Sequence, residues 1–326
     1  MITYHVFFSF LLLFIFFNEN EAQTYPGVTK CDCGKELPLS RIIKGVKSPA
    51  NYPWLIQIYV HNVFAPLEGS SLCAGSIINK KFILTAAHCF VLKPKNSSKF
   101  FQAPNNDVSL FIINADTNWM TGLINKKYRL RNASIEEIII HSNFYIAEDF
   151  QIFSDIALIK INNDFSKILP LQRLPRIFMP ICLPMRKSKY IGKIATVIGW
   201  GLQDPDNQLS VSTDHLMQTN VQVISNYDKK CKHIATVGIS GGYNSSKICA
   251  YDAKQDACRG DSGGPLMLKT KWPEIEINGT LIQIRYIILG VVSYGVECGN
   301  PIFAGVYTRI TGFAEWIYKH SKTGNC

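Results

Sequence analysis

The chain has 326 residues and carries 34 Lys plus Arg against 24 Asp plus Glu, a formal net charge of +10. With 47 % hydrophobic and 18 % charged residues it holds ample material for a packed core, which excludes intrinsic disorder as its main state. No stretch beyond the N-terminus stays apolar for about 18 residues, which excludes a multi-span membrane protein, and the positive excess forms no long Lys/Arg run of the kind that grips nucleic acid.

The first element is an apolar run from Val6 to Phe17 that stops at Asn18-Glu19-Asn20-Glu21. It is short for a membrane span and ends abruptly, so residues 1–22 read as a signal peptide and the product as secreted, without a stable membrane anchor. A polar segment, 23–41, follows and contains Cys31-Asp32-Cys33. Ten cysteines, an even number, fit an oxidising compartment and full pairing. Four Asn-x-Ser/Thr sequons, at Asn96, Asn132, Asn244 and Asn278, fit glycan-bearing loops of a secreted protein.

From Ile42 the texture changes. Short β-branched runs recur between turn clusters: Trp54 to Val60, Ser76 to Ile78, Phe82 to Thr85, Leu110 to Ile113, Ile138 to Ile140, Ile156 to Ile161, Ala195 to Ile198 and Tyr286 to Val292. This is the pattern of an all-β barrel or sandwich rather than of strands alternating with long helices. The last element, Gly312 to His320, reads as a C-terminal helix, with Phe313, Trp316 and Ile317 at i, i+3 and i+4.

Three segments carry the chemistry: Leu84-Thr85-Ala86-Ala87-His88-Cys89, Asp155-Ile156-Ala157-Leu158-Ile159-Lys160, and Asp256-Ala257-Cys258-Arg259-Gly260-Asp261-Ser262-Gly263-Gly264-Pro265. In these motifs, and in their order, the sequence resembles the trypsin/chymotrypsin family of serine proteases from about Arg41 to Trp316. A serine hydroxyl is a poor nucleophile near neutral pH, and a histidine near its own pKa can take its proton and later pass it to the leaving amine. A buried aspartate fixes that imidazole in one tautomer and stabilises its cation. The resemblance therefore implies Ser262 as nucleophile, His88 as general base and acid, Asp155 as the orienting carboxylate, and the backbone N–H groups of Gly260 and Ser262 as the oxyanion hole. His61, His141, His215, His233 and His320 read as structural or surface residues. The string Gly260-x-Ser262-x-Gly264 also matches the nucleophile elbow of α/β-hydrolases, but those enzymes run Ser, acid, His, and the order here is His88, Asp155, Ser262.

The resemblance implies two six-stranded antiparallel β-barrels with a C-terminal helix, and a domain division into residues 1–22 (signal peptide), 23–41 (activation propeptide) and 42–326 (protease domain). Cleavage between Arg41 and Ile42 would free an ammonium that pairs with Asp261 and orders the pocket. Lys44 departs from the family's usual glycine. Asp256 would form the floor of a pocket for an Arg or Lys side chain. Gly295 and Gly305 would be its small walls, and Ser293-Tyr294-Gly295 the strand that pairs with substrate backbone, with Tyr294 in place of the usual tryptophan. Ala257 removes a hydroxyl that an ammonium needs more than a guanidinium does, so Arg is expected over Lys. Arg259 at the rim would favour acidic residues near the scissile bond.

The implied disulfides are Cys73–Cys89, Cys231–Cys249 and Cys258–Cys298, with Cys182 binding Cys33 or Cys31 and Cys326 left for the other. Ala195 and Leu268 stand where the family has a further pair. The Asn114 to Arg131 stretch offers Asp116 without a second acid, so no calcium site, other metal or cofactor is expected. Expected partners are protein or peptide substrates, an activating protease and protein protease inhibitors. The architecture is similar to arthropod venom and salivary trypsin-like proteases; digestion and a clotting-type proteolytic cascade also fit, as does a relative recruited only for binding.

Overall fold

In the computed structural model the described residues are 32–35, 52–61, 70–92, 101–102, 111–114, 135–147, 151–165, 179–184, 190–201, 216–232, 245–253, 256–258, 260–272, 283–295, 298 and 300–324. The leader, Arg41, Ile42, Lys44, Arg259, Cys31, Cys326, the sequon residues Asn96, Asn132, Asn244 and Asn278, and Asp116 lie outside them.

In chain order the first half holds β1 (Leu55–His61), β2 (Ser70–Ile77), β3 (Phe82–Thr85), the small ribbon β4 (Val91–Leu92) and β5 (Phe101–Gln102), β6 (Phe111–Asn114), β7 (Ile135–Ile140), the hairpin β8 (Tyr145–Ile146) and β9 (Ile152–Phe153), and β10 (Ala157–Ile161). Six of these form one antiparallel sheet in the order β6-β1-β2-β3-β10-β7. The second half holds β11 (Ile194–Gly199), β12 (Met217–Ile224), a one-turn helix α1 (Lys229–Lys232), β13 (Lys247–Tyr251), β14 (Pro265–Trp272), β15 (Gln283–Tyr294) and β16 (Gly305–Arg309). These six strands close into a barrel, β11-β12-β13-β16-β15-β14. The described part is thus mostly β, with a six-stranded assembly in each half and two small ribbons in the first. Barrel closure is seen in the second half; among the described residues the first is a six-stranded sheet without a β6–β7 ladder.

The continuous runs Phe82 to Thr85 and Ile156 to Leu158 are buried throughout, as central strands covered on both faces must be. One cluster fills the first sheet and spills onto the second half, joining Trp54, Phe82, Phe90 and Leu158 to Trp200, Met267, Ile288 and Val291. Trp54 Nε1–H points at Met267 Sδ, 3.2 Å away, across this seam. A second cluster, with Val197, Val221, Leu266, Leu289 and Tyr307, fills the barrel. Each large apolar side chain fully hidden this way contributes roughly 1.5–3 kcal/mol.

The C-terminal helix, α2 (Ala314–Ser321), starts later than the sequence pattern suggests, because Ile310–Gly312 turns as a 3-10 helix and Phe313 serves as its N-cap. Ile317 is its main buried anchor. Cys33–Cys182 fastens the 32–35 segment, whose Gly34 also exchanges backbone bonds with Pro180 and Tyr286. The register of Thr196 with Met267 sets Ala195 opposite Leu268, both buried in the barrel core, so apolar contact fills the place of a crosslink.

Candidate active site

His88 lies in the 3-10 turn Ala87–Phe90 that leaves β3. The turn is pinned from below by buried Ala86 and Ala87 and from the side by the Cys73–Cys89 disulfide to β2. Its 16-residue separation is of a size for which a crosslink contributes roughly 3 kcal/mol by restricting the unfolded chain.

Asp155 sits between β9 and β10 and is 2 % exposed. Its carboxylate accepts the His88 backbone N–H at Oδ1, 2.8 Å, and faces His88 Nδ1 at Oδ2, 2.8 Å. An ionised carboxylate only accepts, so Nδ1 carries a proton, and in the neutral imidazole Nε2 keeps its lone pair. The Ser293 hydroxyl donates to the same Oδ2, and the Thr308 hydroxyl to the Asp155 carbonyl at 2.7 Å. Ser293 reaches across because the β15–β16 register slips between Val292 and Tyr294, a bulge that re-aims the extra side chain. Burial alone would neutralise both groups; their mutual charge and hydrogen bonds override it. Against that desolvation, Asp155 holds His88 more basic than usual, and His88, Ser293 and the backbone hold Asp155 below the carboxylate range.

Ser262 begins the turn before β14. Its carbonyl accepts the Ala74 N–H at 2.7 Å, and Ala74 adjoins Cys73. The Thr85 hydroxyl bonds the Ala74 carbonyl at 2.7 Å. This chain of contacts brings the Ser262 loop and the His88 turn to the same seam between sheet and barrel. Gly260, with φ +101°, and Gly263, with φ +79°, occupy conformations that side chains rarely adopt. A Cβ on Gly263 would also run into Thr85, Ala74 and Ala86.

Asp261 lies in a buried cradle. Gly201 N–H donates to Oδ1 at 2.7 Å and Cys258 N–H to Oδ2 at 2.9 Å. Gly199 and Gly201 wrap the carboxylate so closely that a Cβ on either would collide with it. Desolvation pushes its pKa up to about 6 despite both backbone donors.

Asp256 accepts the Ala257 N–H at 2.8 Å. A Cβ on Gly305 would come within 2.7 Å of the Asp256 carboxylate, whereas one on Gly295 would enter open space. Tyr307 lies beneath, and its hydroxyl is held far from ionisation by burial and by the charges of Asp256 and Asp261. Cys258–Cys298 braces the segment bearing Asp256 and Asp261 against the end of β15, and Cys231–Cys249 ties α1 to β13.

Sequence reading missed Thr308, the Ser293 bond to Asp155, and Tyr307 beside Gly305 and Asp256. The first two partners lie 153 and 138 residues from Asp155, and no local pattern links them. The proximity of Cys73, His88 and Cys89 does not describe a metal site, since both sulfurs are consumed in a disulfide. No helix among the described residues is long and apolar enough to cross a membrane.

Comparison with known proteins gives a family match and several similar chains. Residues 42–317 match the family described as trypsin. The chain is 29 % identical over 302 residues to the clotting factor G beta subunit of Tachypleus tridentatus, covering 89 % of this chain and 83 % of that one. It is 28 % identical over 309 residues to transmembrane protease serine 11G of Mus musculus (93 % and 61 %), and 31 % identical over 290 residues to transmembrane protease serine 7 of the same species (86 % and 28 %). It therefore spans less than two thirds of the length of both transmembrane relatives.

Proposed function

Because the chain belongs to the trypsin family of serine proteases, we propose that it is a secreted, zymogen-type endopeptidase that hydrolyses peptide bonds after Arg, and less readily after Lys. The observation that carries this is the Asp155 carboxylate, buried and bonded to both the backbone and Nδ1 of His88. That arrangement leaves Nε2 as a base, which is what a serine nucleophile requires.

In this reading His88 Nε2 takes the Ser262 proton as the hydroxyl oxygen attacks the peptide carbonyl. The tetrahedral oxyanion is received by the Gly260 and Ser262 N–H groups, each such donor being worth roughly 3 kcal/mol of barrier. The intermediate collapses as His88 returns the proton to the leaving amine, and water repeats the cycle on the acyl-enzyme. Asp256 receives the substrate cation. Ala257 supplies it no hydroxyl oxygen, which favours the bidentate guanidinium. Release of Ile42 by a cut after Arg41 would bring an ammonium to Asp261, which among the described residues is met by the Gly201 and Cys258 N–H groups. Similarity to a clotting factor subunit supports action in an extracellular cascade; a venom or salivary role rests on the sequence resemblance alone.

The test is pre-steady-state acylation of the cleaved protein with Arg and Lys esters. A stoichiometric burst is expected, with Arg favoured and Ser262→Ala abolishing it. Absence of a burst in cleaved protein would favour a relative used only for binding, and equal turnover of Arg and Lys would remove the role assigned to Ala257.

A further inference from the structure

Asp155 follows Ser154, whose φ of +47° is a left-handed conformation that a residue with a side chain rarely adopts. The Ile156 N–H closes back on the Ser154 carbonyl at 2.8 Å, so the carboxylate stands on a tight, unfavourable turn that neighbouring structure has to hold. One hold comes from the β7 side. Ala157 pairs with Ile140 in the β7–β10 ladder, and one residue on, the His141 N–H donates to the Ile156 carbonyl at 3.2 Å.

His141 also builds the turn that follows it. The Phe144 N–H donates to its carbonyl at 2.9 Å, and the Asn143 N–H donates to its ring at Nδ1, 3.1 Å away. Accepting that bond requires an unprotonated Nδ1, which is the neutral imidazole with its proton on Nε2. The ring is docked on the C-terminal helix. It meets Phe313 edge-on with centroids 5.0 Å apart and lies 5.2 Å from the Trp316 ring, which is itself 5.0 Å from the His320 ring. Aromatic faces alone would accept an imidazolium. Partial burial and the charge of His320 act against it and hold the His141 pKa below 6.5. The other ionisable groups on the surrounding elements are engaged or open to water. Glu315, Tyr318 and Lys319 on α2, Glu137 on β7 and Tyr145 on β8 are exposed. Glu136 on β7 pairs with Lys160 of β10, and the Asp155 carboxylate is taken up by His88 and Ser293.

We propose that neutral His141 is a positioning residue for Asp155: its ring closes the turn from which its own N–H holds the Asp155 segment, and protonation of the ring releases that segment and shuts catalysis down in acid independently of His88. This rests on the protease reading above, in which Asp155 orients His88. A proton on Nδ1 sets the ring N–H and the Asn143 N–H against each other, two donors with no acceptor between them, so the ring turns away and the turn opens.

The experiment compares wild type, His141→Gln and His141→Phe. A glutamine carbonyl accepts the Asn143 N–H at any pH, whereas phenylalanine keeps the aromatic contact and accepts nothing. In cleaved protein, kcat/KM for a blocked Arg ester is followed from pH 8.5 to 5. At pH 8 the glutamine variant should stay within about threefold of wild type, and the phenylalanine variant should fall roughly 5- to 10-fold below it. At pH 5, relative to its own value at pH 8, the glutamine variant should keep roughly 3- to 10-fold more activity than wild type. Coincident acid limbs for wild type and the glutamine variant overturn the proposal, whether or not the phenylalanine variant folds. Amide hydrogen exchange in Ser262→Ala protein, corrected for intrinsic rates, reads the hold without turnover. The His141 and Phe144 amides should lose roughly 3- to 10-fold of their protection between pH 7.5 and 5, and keep it when glutamine is added at 141. Protection that does not fall overturns the proposal even where the ester data agree. A cleaved wild type that turns over no ester overturns the protease reading and the catalytic consequence with it, while the exchange result still decides whether protonation opens the turn.

Discussion

Removing the Asp261 charge should stabilise the uncut chain at neutral pH, the reverse of what loss of a buried hydrogen-bonded group normally does. The carboxylate is buried, and its two backbone donors do not repay its desolvation, so its pKa rises from 3.8 to about 6. A carboxyl group raised in the folded state keeps a proton there that the unfolded chain has already released. The native state is then penalised as pH climbs through that interval. The full penalty is about 3 kcal/mol, and about 2 kcal/mol of it develops between roughly pH 4.5 and 7.5. Urea denaturation of Arg41→Gln protein, with and without Asp261→Asn, reads this directly. Any hydrogen bond lost to the amide gives a pH-independent offset, so the swing with pH is the quantity of interest. It should favour Asn increasingly as pH rises. A difference that stays flat, or moves the other way, would refute the view that the two backbone donors under-compensate the burial of this carboxylate before cleavage. In the cleaved protein the new Ile42 ammonium should lower the Asp261 pKa and make the same substitution destabilising.

Three further outcomes follow from the site. Because Asp155 raises the His88 pKa above 6.5, and only the neutral imidazole accepts a proton, kcat/KM should climb through a midpoint above 6.5. Asp155→Asn should move that midpoint down while cutting kcat by roughly 10⁴-fold, measured in a pH–rate series. Ser293→Ala deletes a donor to a buried carboxylate and should cost roughly 1–3 kcal/mol at pH 7 by urea denaturation, a loss that shrinks as acid protonates Asp155. Gly263→Ala forces a Cβ into Thr85 and Ala74 from a positive-φ backbone and should cost more than about 2 kcal/mol in the same measurement.

Much of the fold was written in local pattern where burial is two-sided. Phe82 to Thr85 and Ile156 to Ile161 read as strands because both faces are largely covered and nearly every position is apolar, Thr85 and Lys160 excepted. Strands with a wet face escaped that reading. β12, Met-Gln-Thr-Asn-Val-Gln-Val-Ile, buries only Val221 and Val223 and looks polar as a string. The start of β2, Ser70 to Gly75, is mostly small residues around Leu72 and becomes a strand through its pairing with β1. The candidate triad could be named from chain order, since that order reflects shared ancestry. Its supports could not: Ser293 reaches Asp155 through a bulge, and Thr308 belongs to a strand whose register decides what it touches. Local sequence does not state register between strands distant along the chain.

The hydrogen bond from Ala74 to the Ser262 carbonyl fastens the Ser262 loop to the opposite half of the molecule. On the proposed reading neither the sheet nor the barrel owns the complete triad, so the seam between them should behave as a fuse. Mild denaturant that parts the halves by even a small amount should extinguish turnover while circular dichroism still reports intact strands, and restoring contact should relight it without any refolding of either half.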